Sequence, residues 1–561
     1  MIRTHSLCYR HPSGNVALHD VEFRLDRGEY VALIGANGSG KTTLARCLNG
    51  LLSPTSGSVE VDGISSATDT GAQRIRLVGM VFQNPDDQLV APTAESEIAF
   101  GLENYGVAPV PMRERIEDML QRFDLLAYRT HPPHLLSGGQ RQRLAIASSI
   151  ALRPRYLVLD EPTSLLDAAG RRRVLDLLPV LCSEHDIGVL HVTQSAEEAC
   201  LADHVLCLHA GRLVADGTPR QVLSGHDHRT HLPFALRISR QLNLSEDTTP
   251  LTLTELADQL IRRPQPTSTG PAQPSLAKRQ GPPLFATDRV WHTYTRGLKE
   301  PIHALRDLSV SVNGGVIVGL LGGSGSGKTT FAQHLNGLLR PTQGRITHHG
   351  REVPKRLSHL RRKVGLVFQF PEAQLFEETV AADIAFGPRQ LGLSDSETEQ
   401  RVRWSLSEVG LLPESFMARS PFTLSGGERR RAAIAGVIAM QTDTLVLDEP
   451  TAGLDGESRD ILMDLFRRHR ERGGTVVLIS HDMDLVAELA DDLIVLCEGE
   501  LAGNGTPHDL LGDPEQASRL GLELPRTMVL RALLHERGWR LPAILTESEL
   551  LQSLHIGEIH S

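Results

Sequence analysis

Two segments of the chain combine glycines, a lysine and two threonines at a spacing that suits phosphate binding. They are Gly35-Ala-Asn-Gly-Ser-Gly-Lys41-Thr-Thr43 and Gly322-Gly-Ser-Gly-Ser-Gly-Lys328-Thr-Thr330. Glycines let backbone N–H groups curl around phosphates, and the N-terminus of a following helix adds a favourable dipole. The lysine reaches the β- and γ-phosphates, and the threonine after it ligates Mg²⁺. The predicted nucleotide-binding residues are Gly35, Asn37, Gly38, Ser39, Gly40, Lys41, Thr42 and Thr43 in the first segment and Gly322, Ser324, Gly325, Ser326, Gly327, Lys328, Thr329 and Thr330 in the second.

An Asp-Glu pair ends an apolar run in each half of the chain, Asp160-Glu161 in the first and Asp448-Glu449 in the second. The aspartate lies 119 residues after the lysine of the glycine segment in the first half and 120 residues after it in the second. Ligands bind at the carboxyl ends of strands in open α/β sheets, so we expect both pairs beside the bound phosphates. The aspartate can hold Mg²⁺ through water, and the glutamate can polarise a water in line with the γ-phosphate. These residues predict hydrolysis of a nucleoside triphosphate, with Glu161 and Glu449 as catalytic carboxylates.

A second glycine motif, Ser137-Gly-Gly-Gln140, recurs as Ser425-Gly-Gly-Glu428. Two glycines after a serine, opening a helix, form another phosphate-binding helix N-terminus. A nucleotide held by one glycine segment has no need of a second on the same domain, so we expect each motif to serve the nucleotide of the opposite copy. The predicted residues are Ser137, Gly138, Gly139 and Gln140 in the first copy and Ser425, Gly426, Gly427 and Glu428 in the second.

The motifs recur in one order and at nearly one spacing, so the chain consists of two copies of a domain of about 220 residues. In each copy, apolar strands (31–34 and 316–321) precede the glycine segments and helices follow them. This alternation predicts α/β domains with a largely parallel sheet. The predicted divisions are a nucleotide-binding domain at 1–225, a helical extension at 226–263, a Pro-rich linker at 264–283, a second nucleotide-binding domain at 284–515 and a helical C-terminal extension at 516–561.

Composition limits the classes of partner. The chain has 561 residues, of which 40% are apolar and 22% charged, and a formal net charge of −10. No general affinity for nucleic acid is expected of an acidic chain, and no apolar run reaches the ~18 residues of a membrane span. Three arginines, Arg429 to Arg431, follow the second Ser-Gly-Gly motif. We predict that they lie on a solvated helix face, with a nucleic-acid patch as the alternative.

Together the motifs resemble those of the ATP-binding cassette (ABC) ATPases over most of both copies. The resemblance implies two P-loop ABC-type nucleotide-binding domains, each with a parallel-sheet core and a helical signature subdomain, and short helical C-terminal extensions. It implies that the two cassettes pair within the chain and close head to tail over two ATP molecules. It also implies that Gln83 and Gln369 contact Mg²⁺ and the attacking water, that Asp167 and Asp455 lie in the D-loops, and that Tyr294 stacks on adenine, where the first copy has His11 with Tyr9 nearby. The implied Mg²⁺ ligands are Thr42, Gln83 and Asp160 in one site and Thr329, Gln369 and Asp448 in the other.

The two copies differ at the switch histidine of that family. The second copy has His481, whereas the first has Gln194, which can hydrogen-bond a γ-phosphate but carries no positive charge. His191 lies three residues upstream, an odd offset that places it on the other face of a strand. Site one then comprises Lys41, Asp160, Glu161 and Gln194, closed by 425–428, and site two comprises Lys328, Asp448, Glu449 and His481, closed by 137–140. We hypothesise that site two carries most of the turnover.

The segments Phe82-Gln-Asn-Pro-Asp-Asp-Gln88 and Phe368-Gln-Phe-Pro-Glu-Ala-Gln374 are each followed by Ile-Ala-Phe-Gly. These segments are similar to the ATPases of energy-coupling factor (ECF) transporters, the importers of vitamins and of cobalt or nickel ions. The resemblance implies a membrane T component docked near the glutamines and a separate S component that binds the substrate. It places the chain at the cytoplasmic face of the cell membrane, with no nucleic-acid partner.

Two other functions remain open at this stage. A tandem ABC protein acting on ribosomes carries a long, charged, helical linker, unlike the Pro-rich segment at 264–283. A fused ATPase of a sugar importer lacks the Gln-Asn-Pro-x-x-Gln pattern. A DNA-repair ABC ATPase is disfavoured because no coiled-coil insertion or zinc-binding cysteine pattern is present.

Overall fold

The computed structural model describes residues 1–12, 14–68, 71–164, 166–225, 232–244, 249–263, 265, 282–294, 301–353 and 358–555. The chain divides into two compact units. Unit one comprises Met1–Arg237 and Ser245–Thr252, and unit two comprises Ile238–Leu244 and Leu253–Ser561. Nearly all of the predicted Pro-rich linker lies outside the described residues, and the domain boundaries drawn from the sequence stay predictions.

Unit one contains two sheets with helices packed around them. Its strands are β1 (Ile2–Arg10), β2 (Val16–Val21), β3 (Arg24–Leu25), β4 (Tyr30–Ile34), β5 (Ser56–Val61), β6 (Ile64–Ser65), β7 (Val78–Val81), β8 (Tyr156–Asp160), β9 (Gly188–Val192), β10 (His204–His209) and β11 (Arg212–Gly217). Its helices are α1 (Lys41–Asn49), α2 (Ala72–Leu77), α3 (Ala94–Asn104), α4 (Pro109–Arg122), α5 (Gly138–Ala151), α6 (Ala168–His185), α7 (Ala196–Ala199) and α8 (Pro219–Ser224). Helix α9 (Phe234–Gln241) crosses the division between the units.

The larger sheet of unit one has the strand order β11-β10-β4-β9-β8-β7. All its pairings are parallel except that of β10 with β11 at one edge. Strands β4, β8 and β9 are buried along their whole length because helices cover both faces of the sheet. The predicted α/β fold with a parallel-sheet core is therefore confirmed. The second sheet, β2-β1-β5-β6 with β3 paired to β1, is antiparallel and was not predicted.

Unit two repeats this architecture. Its strands are β12 (Phe285–Tyr294), β13 (Ile302–Leu308), β14 (Ser311–Val312), β15 (Ile317–Leu321), β16 (Gln343–His348), β17 (Arg351–Glu352), β18 (Val364–Val367), β19 (Thr444–Asp448), β20 (Thr475–Ile479), β21 (Asp492–Cys497) and β22 (Glu500–Gly505). Its helices are α10 (Leu253–Leu260), α11 (Lys328–Asn336), α12 (Ser358–Arg361), α13 (Val380–Gln390), α14 (Asp395–Glu408), α15 (Pro413–Phe416), α16 (Gly426–Ile438), α17 (Gly456–Glu471), α18 (Met483–Leu489), α19 (Pro507–Leu511), α20 (Pro514–Arg519), α21 (Arg526–Glu536) and α22 (Glu547–His555). The larger sheet runs β22-β21-β15-β20-β19-β18, which matches unit one strand for strand.

Two helices, α9 and α10, lie in the described part of the region predicted as a helical extension, 226–263. Its helix α10 belongs to unit two, where it packs against α21. The apolar face of α10 (Leu256, Ala257 and Leu260) is buried, and Asp258 beside it pairs with Arg537 at 2.7 Å. Within the described residues, no helix is both long enough and apolar enough to cross a membrane.

Two candidate nucleotide sites

The predicted site residues of each unit converge at the carboxyl ends of three neighbouring strands. In unit one, β4 leads into the glycine segment, β8 ends at Asp160, and β9 is followed by Thr193 and Gln194. Strand β9 pairs in parallel with both β4 and β8, so their carboxyl ends meet at one edge of the sheet. Unit two has the same arrangement in β15, β19 and β20. This edge is where open α/β sheets bind ligands.

The glycine segments take the conformation that phosphate binding requires. Gly40, at the N-terminus of α1, has φ of 104°, and its counterpart Gly327 has φ of 97°. A Cβ at Gly327 would lie 2.4 Å from the carbonyl oxygen of Ala304, so the loop has no room for a side chain there. Lys41 Nζ lies inside its own loop and donates to the carbonyl of Gly35 at 2.6 Å. Lys328 Nζ does the same in unit two, at 2.8 Å.

The threonine after each lysine meets the aspartate of the Asp-Glu pair. Thr329 Oγ1 donates to Asp448 Oδ2 at 2.7 Å, and Thr42 bonds Asp160 in the same way. Burial raises the pKa of both aspartates, while the threonine and the nearby lysine oppose that shift. A divalent cation would favour the ionised carboxylate. A hydroxyl and a carboxylate side by side suit Mg²⁺, which takes one or two protein oxygens together with water and phosphate.

Both candidate catalytic glutamates have a left-handed backbone. Glu161 and Glu449 each have φ of 49°, which is uncommon for a residue other than glycine. Each is held there by a hydrogen bond from its backbone N–H to the neighbouring strand, at Val192 and Ile479, both 3.0 Å long. Strain of this kind occurs at functional sites, where the surrounding structure enforces it.

In site one, amide groups hold both oxygens of the candidate base. Gln83 Nε2 donates to Glu161 Oε2 at 2.9 Å, and Gln194 Nε2 donates to Glu161 Oε1 at 2.5 Å. Gln194 Nε2 also donates to Asn37 Oδ1 at 2.8 Å. The structure thus brings together four predicted residues of site one: Asn37 of the glycine segment, Gln83 of the loop after β7 (the Gln loop, with Gln369 at the same place in unit two), Glu161 directly after β8, and Gln194 at the switch position.

Site two holds its candidate base differently. Glu449 is largely buried, and its Oε1 atom has no hydrogen-bond partner among the residues that the structure describes. His481 Nε2 lies 3.6 Å from that oxygen. Burial, together with the Asp448 carboxylate beside it, raises the pKa of Glu449 to about 8. This oxygen is therefore not committed to a protein donor.

Comparison with known proteins decides the family. A sequence profile described as "ABC transporter" matches residues 18–164 and 305–452, once in each unit. An ABC transporter ATP-binding protein of Caldanaerobacter subterraneus is 34% identical over 539 residues, covering 93% of this chain and 94% of that protein. The chain belongs to the ABC transporter family. It is an ATP-binding subunit with two cassettes in one chain, and it is an ATP hydrolase.

Two relatives of this ABC protein have more specific names. The energy-coupling factor transporter ATP-binding protein EcfA2 of Geobacillus kaustophilus is 46% identical over 258 residues, which is 45% of this chain and 88% of that protein. A Bacillus subtilis protein named for HMP and thiamine import, YkoD, is 31% identical over 507 residues, covering 88% of each chain.

The predicted signature serines and the predicted D-loop aspartates all cap helices. Ser137 and Ser425 begin α5 and α16, and each forms a reciprocal capping box with the fourth residue of its motif, Gln140 or Glu428. Asp167 accepts from the backbone N–H of Gly170 at 2.9 Å at the start of α6. Asp455 caps α17 in the same way. These caps fix the start of each helix, and the roles of these residues toward ATP stay predictions.

The aromatic residues near the two glycine segments differ between the cassettes. Tyr294 ends β12, is partly exposed, and its hydroxyl lies 3.3 Å from Thr330 Oγ1. In unit one, Tyr9 and His11 form an edge-to-face pair with ring centroids 5.0 Å apart. Tyr294 is exposed enough to meet a base, and its stacking on adenine stays a prediction.

His191 does not replace the switch histidine of site one. It is fully buried within β9, where its Nδ1 atom lies 2.9 Å from the hydroxyl of Tyr30. Burial lowers the pKa of its imidazole. It therefore lies in the core of unit one, on the strand face that the odd offset from Gln194 predicts.

The prediction that the arginine run forms a solvated face is wrong for Arg430. Arg430 is buried on the inner face of α16. Its guanidinium donates to the carbonyls of Gln369 at 3.0 Å and Glu449 at 3.2 Å, and to that of Ala452. It thus ties α16 to the loop that contains Gln369 and to the loop that contains Glu449 and Ala452. The inward position could not be read from three consecutive arginines, because only packing decides which of them faces the core.

Arg430→Ala is expected to destabilise unit two by about 2–4 kcal/mol, because it leaves buried carbonyls without their donor. The neighbouring Arg429→Ala is the matched control, with an expected loss below about 1 kcal/mol. Denaturant unfolding followed by fluorescence and circular dichroism measures both. Equal losses in the two variants would contradict this role for Arg430.

Proposed function

We propose that this chain is the ATP-hydrolysing subunit of an ECF-type importer that energises uptake of a vitamin or a cobalt- or nickel-type micronutrient. Its partners would be a T-type membrane subunit and a substrate-binding S-type subunit, at the cytoplasmic face of the cell membrane. The likeness to EcfA2 in half of the chain, and to a protein named for HMP and thiamine import over most of it, supports this assignment. The proposal includes pairing of the two cassettes, as the family resemblance implies.

The observation that carries the proposal is an exposed aromatic pair beside the Gln loop of unit two. Phe376 and Phe386 are 58% and 46% exposed, and their rings meet edge to face with centroids 5.1 Å apart. The loop is fixed, because Asp383 Oδ2 accepts from the backbone N–H groups of Phe376 and Glu377, both at 2.9 Å. A preformed apolar surface of this kind marks a protein interaction site. It suits an apolar coupling segment of a membrane subunit.

Unit one presents a similar surface at the equivalent positions. Val90 and Phe100 are 70% and 50% exposed. Glu97 Oε2 accepts from the backbone N–H groups of Val90 at 2.8 Å and Ala91 at 2.6 Å, as Asp383 does in unit two. The same fixed apolar surface in both units supports one docking segment for each cassette.

The proposed chemistry assigns a task to each site residue. The glycine segments and their lysines hold the phosphates, while Thr42, Gln83 and Asp160, or Thr329, Gln369 and Asp448, would hold Mg²⁺. When bound, Mg²⁺ neutralises charge on the phosphate oxygens. Glu449 accepts a hydrogen bond, and then the proton, from the attacking water, and His481 donates toward the γ-phosphate. In site one, Glu161 and Gln194 would perform these tasks.

The proposal is tested by purifying the tagged protein from detergent-solubilised membranes of its native host and identifying the co-purifying proteins by mass spectrometry. We expect a polytopic membrane protein and a small hydrophobic subunit, whose retained ligand names the cargo. Ribosomal proteins without a membrane partner would overturn the proposal and favour the translation-factor alternative. A membrane partner with a periplasmic-type or lipid-anchored binding protein would indicate another class of importer.

Changing Phe376 and Phe386 to aspartate is expected to abolish recovery of the membrane partner, because a charged surface cannot bury an apolar segment. ATP hydrolysis by the purified variant should stay within about twofold of the unmodified chain, since both side chains point to solvent. Ile302→Asp is the matched control, because Ile302 is 50% exposed on the antiparallel sheet of the same unit. Loss of the partner in the control as well would show that the effect is not specific to this surface.

A further inference from the structure

A buried carboxylate in unit one connects three segments that surround site one. Glu198 is only 2% exposed. Its Oε1 atom accepts from Thr163 Oγ1 and from Arg171 Nε, both at 2.8 Å. Its Oε2 atom accepts from Thr193 Oγ1 at 2.6 Å. A buried carboxylate satisfied by an arginine and two hydroxyls remains charged and fixes the position of each donor.

Each donor lies next to a candidate residue of site one. Thr163 is two residues after Glu161, and Thr193 directly precedes Gln194. Arg171 lies in the first turn of α6, which Asp167 caps. Arg171 also donates to Ser195 Oγ at 3.2 Å, on the other side of Gln194. One carboxylate is therefore shared by three segments: the loop after β8 that holds Glu161 and Thr163 (the catalytic loop), the loop after β9 at 193–195 (the switch loop), and helix α6 (the D-loop helix).

The contact extends into the core through two further polar residues. His191 Nε2 lies 3.4 Å from Glu198 Oε2, and the Tyr30 hydroxyl lies 2.9 Å from His191 Nδ1. Arg171 and His191 lower the pKa of Glu198 in spite of its burial, which by itself raises it. The result is a chain of neighbouring polar side chains under the switch loop, from the first residue of β4 to the start of α6, in which His191 Nε2 and Glu198 are close but not hydrogen-bonded.

Unit two lacks this chain but keeps the arginine. By strand register and helix position, the counterparts of Tyr30, His191 and Glu198 are the apolar residues Ile317, Leu478 and Leu485. The counterpart of Arg171 is Arg459, whose Nη2 atom lies 2.9 Å from Asp482 Oδ2. Asp482 follows His481 directly and caps α18 by accepting from Leu485 N–H at 3.0 Å. The equivalent arginine therefore meets a carboxylate in both units. In unit two that carboxylate is Asp482, the N-cap of α18. In unit one it is Glu198, three positions further along, the buried third residue of α7.

We propose that Glu198 is a positioning residue for site one: with Arg171 it clamps the switch loop to the D-loop helix, as Asp482 and Arg459 do in unit two. The clamp keeps Gln194 aimed at Asn37 and Glu161. The inference rests on the proposed assignment of Gln194 and Asp167 to a nucleotide site, and the test separates the two.

The apolar variant carries Tyr30→Ile, His191→Leu and Glu198→Leu, which gives unit one the side chains that unit two packs at these positions. Arg171 is 45% exposed and can turn to solvent once Glu198 is replaced, so the variant is expected to fold although Thr163 and Thr193 lose their acceptor. The rescue variant adds Ser195→Asp, which places a carboxylate where Asp482 stands in unit two. Aspartate and serine are both good N-caps, so the start of α7 is preserved.

Turnover of site one is measured in a Glu449→Gln background, as phosphate release against Mg-ATP concentration. The apolar variant is expected to lower kcat by about 10-fold or more with KM within twofold, because misplacing a catalytic group affects the chemical step. The rescue variant should recover to within about threefold. A melting temperature unchanged across the set excludes a general loss of structure.

A second readout does not depend on activity. Hydrogen exchange of the amides at 167–173 and 193–199 should become about 10-fold faster in the apolar variant and return in the rescue variant. Unchanged exchange and unchanged kcat in the apolar variant would overturn the clamp, as would losses that Ser195→Asp does not restore. If the Glu449→Gln background shows no turnover before Glu198 is changed, the proposed role of site one fails, and the exchange data still decide the clamp.

Discussion

Glu449→Gln is expected to remove most of the ATP hydrolysis of this protein, by about 100-fold, whereas Glu161→Gln should lower it only a few-fold. Glutamine keeps the shape of the side chain but cannot accept the proton of the attacking water. Phosphate release at saturating Mg-ATP measures both variants. Retained binding of ATP in each variant, followed by a fluorescent analogue, shows that the loss is chemical.

The difference rests on how the two carboxylates are held. Gln83 and Gln194 donate to the two oxygens of Glu161, so a water must displace an amide before that base can act. Glu449 Oε1 is buried and accepts from no donor in the described part of the chain, so no amide has to be displaced before a water that enters the site can bond to it. If Glu161→Gln abolished turnover and Glu449→Gln did not, the order of the two sites would be reversed.

His481→Gln is expected to lower turnover by about 10- to 100-fold, because an uncharged amide stabilises charge on the transferred phosphoryl group less well than an imidazolium. The reverse change, a histidine in place of Gln194 in site one, must be combined with a change of Asn37. Gln194 is bonded to Asn37, and the corresponding residue of unit two is Ser324. We therefore expect Gln194→His with Asn37→Ser to raise turnover of site one by about 10-fold in the Glu449→Gln background.

The single variant Gln194→His is the control for that exchange. With Asn37 unchanged, the imidazole competes for a position shaped for an amide, so the gain should be smaller than in the double variant. Rates are compared across pH, since only a histidine at the switch position introduces a new ionisation near neutral pH. An identical pH profile for glutamine and histidine at position 481 would show that charge at the switch is not important.

The glycine segments, the Asp-Glu pairs and the larger sheet could be predicted from sequence because each depends on local pattern and on strand order. The roles that the sequence analysis missed depend on packing between distant segments. Arg430 belongs to a run of three arginines, and no periodicity shows which one faces the Gln loop. Tyr30, His191 and Glu198 lie on separate elements and match no motif, although a histidine and a glutamate within otherwise apolar runs were a usable signal.

The antiparallel sheet was missed for a different reason. Its first strand, β1, alternates buried and exposed residues only at its start, from Ile2 to Thr4, and irregular register interrupts it further along. A period of two over so short a stretch does not distinguish a strand from a loop.

The position of α10 determines how this protein can be dissected. A cut in the Pro-rich segment, where composition alone would place it, leaves α10 on the amino-terminal fragment and removes it from α21. That fragment would expose the apolar stripe of Leu256, Ala257 and Leu260 and tend to self-associate, while the carboxy-terminal fragment would lack part of its packing. Separately expressed halves should therefore divide before Leu253, which keeps α10 with α21 but leaves Ile238–Leu244, part of unit two, on the amino-terminal polypeptide.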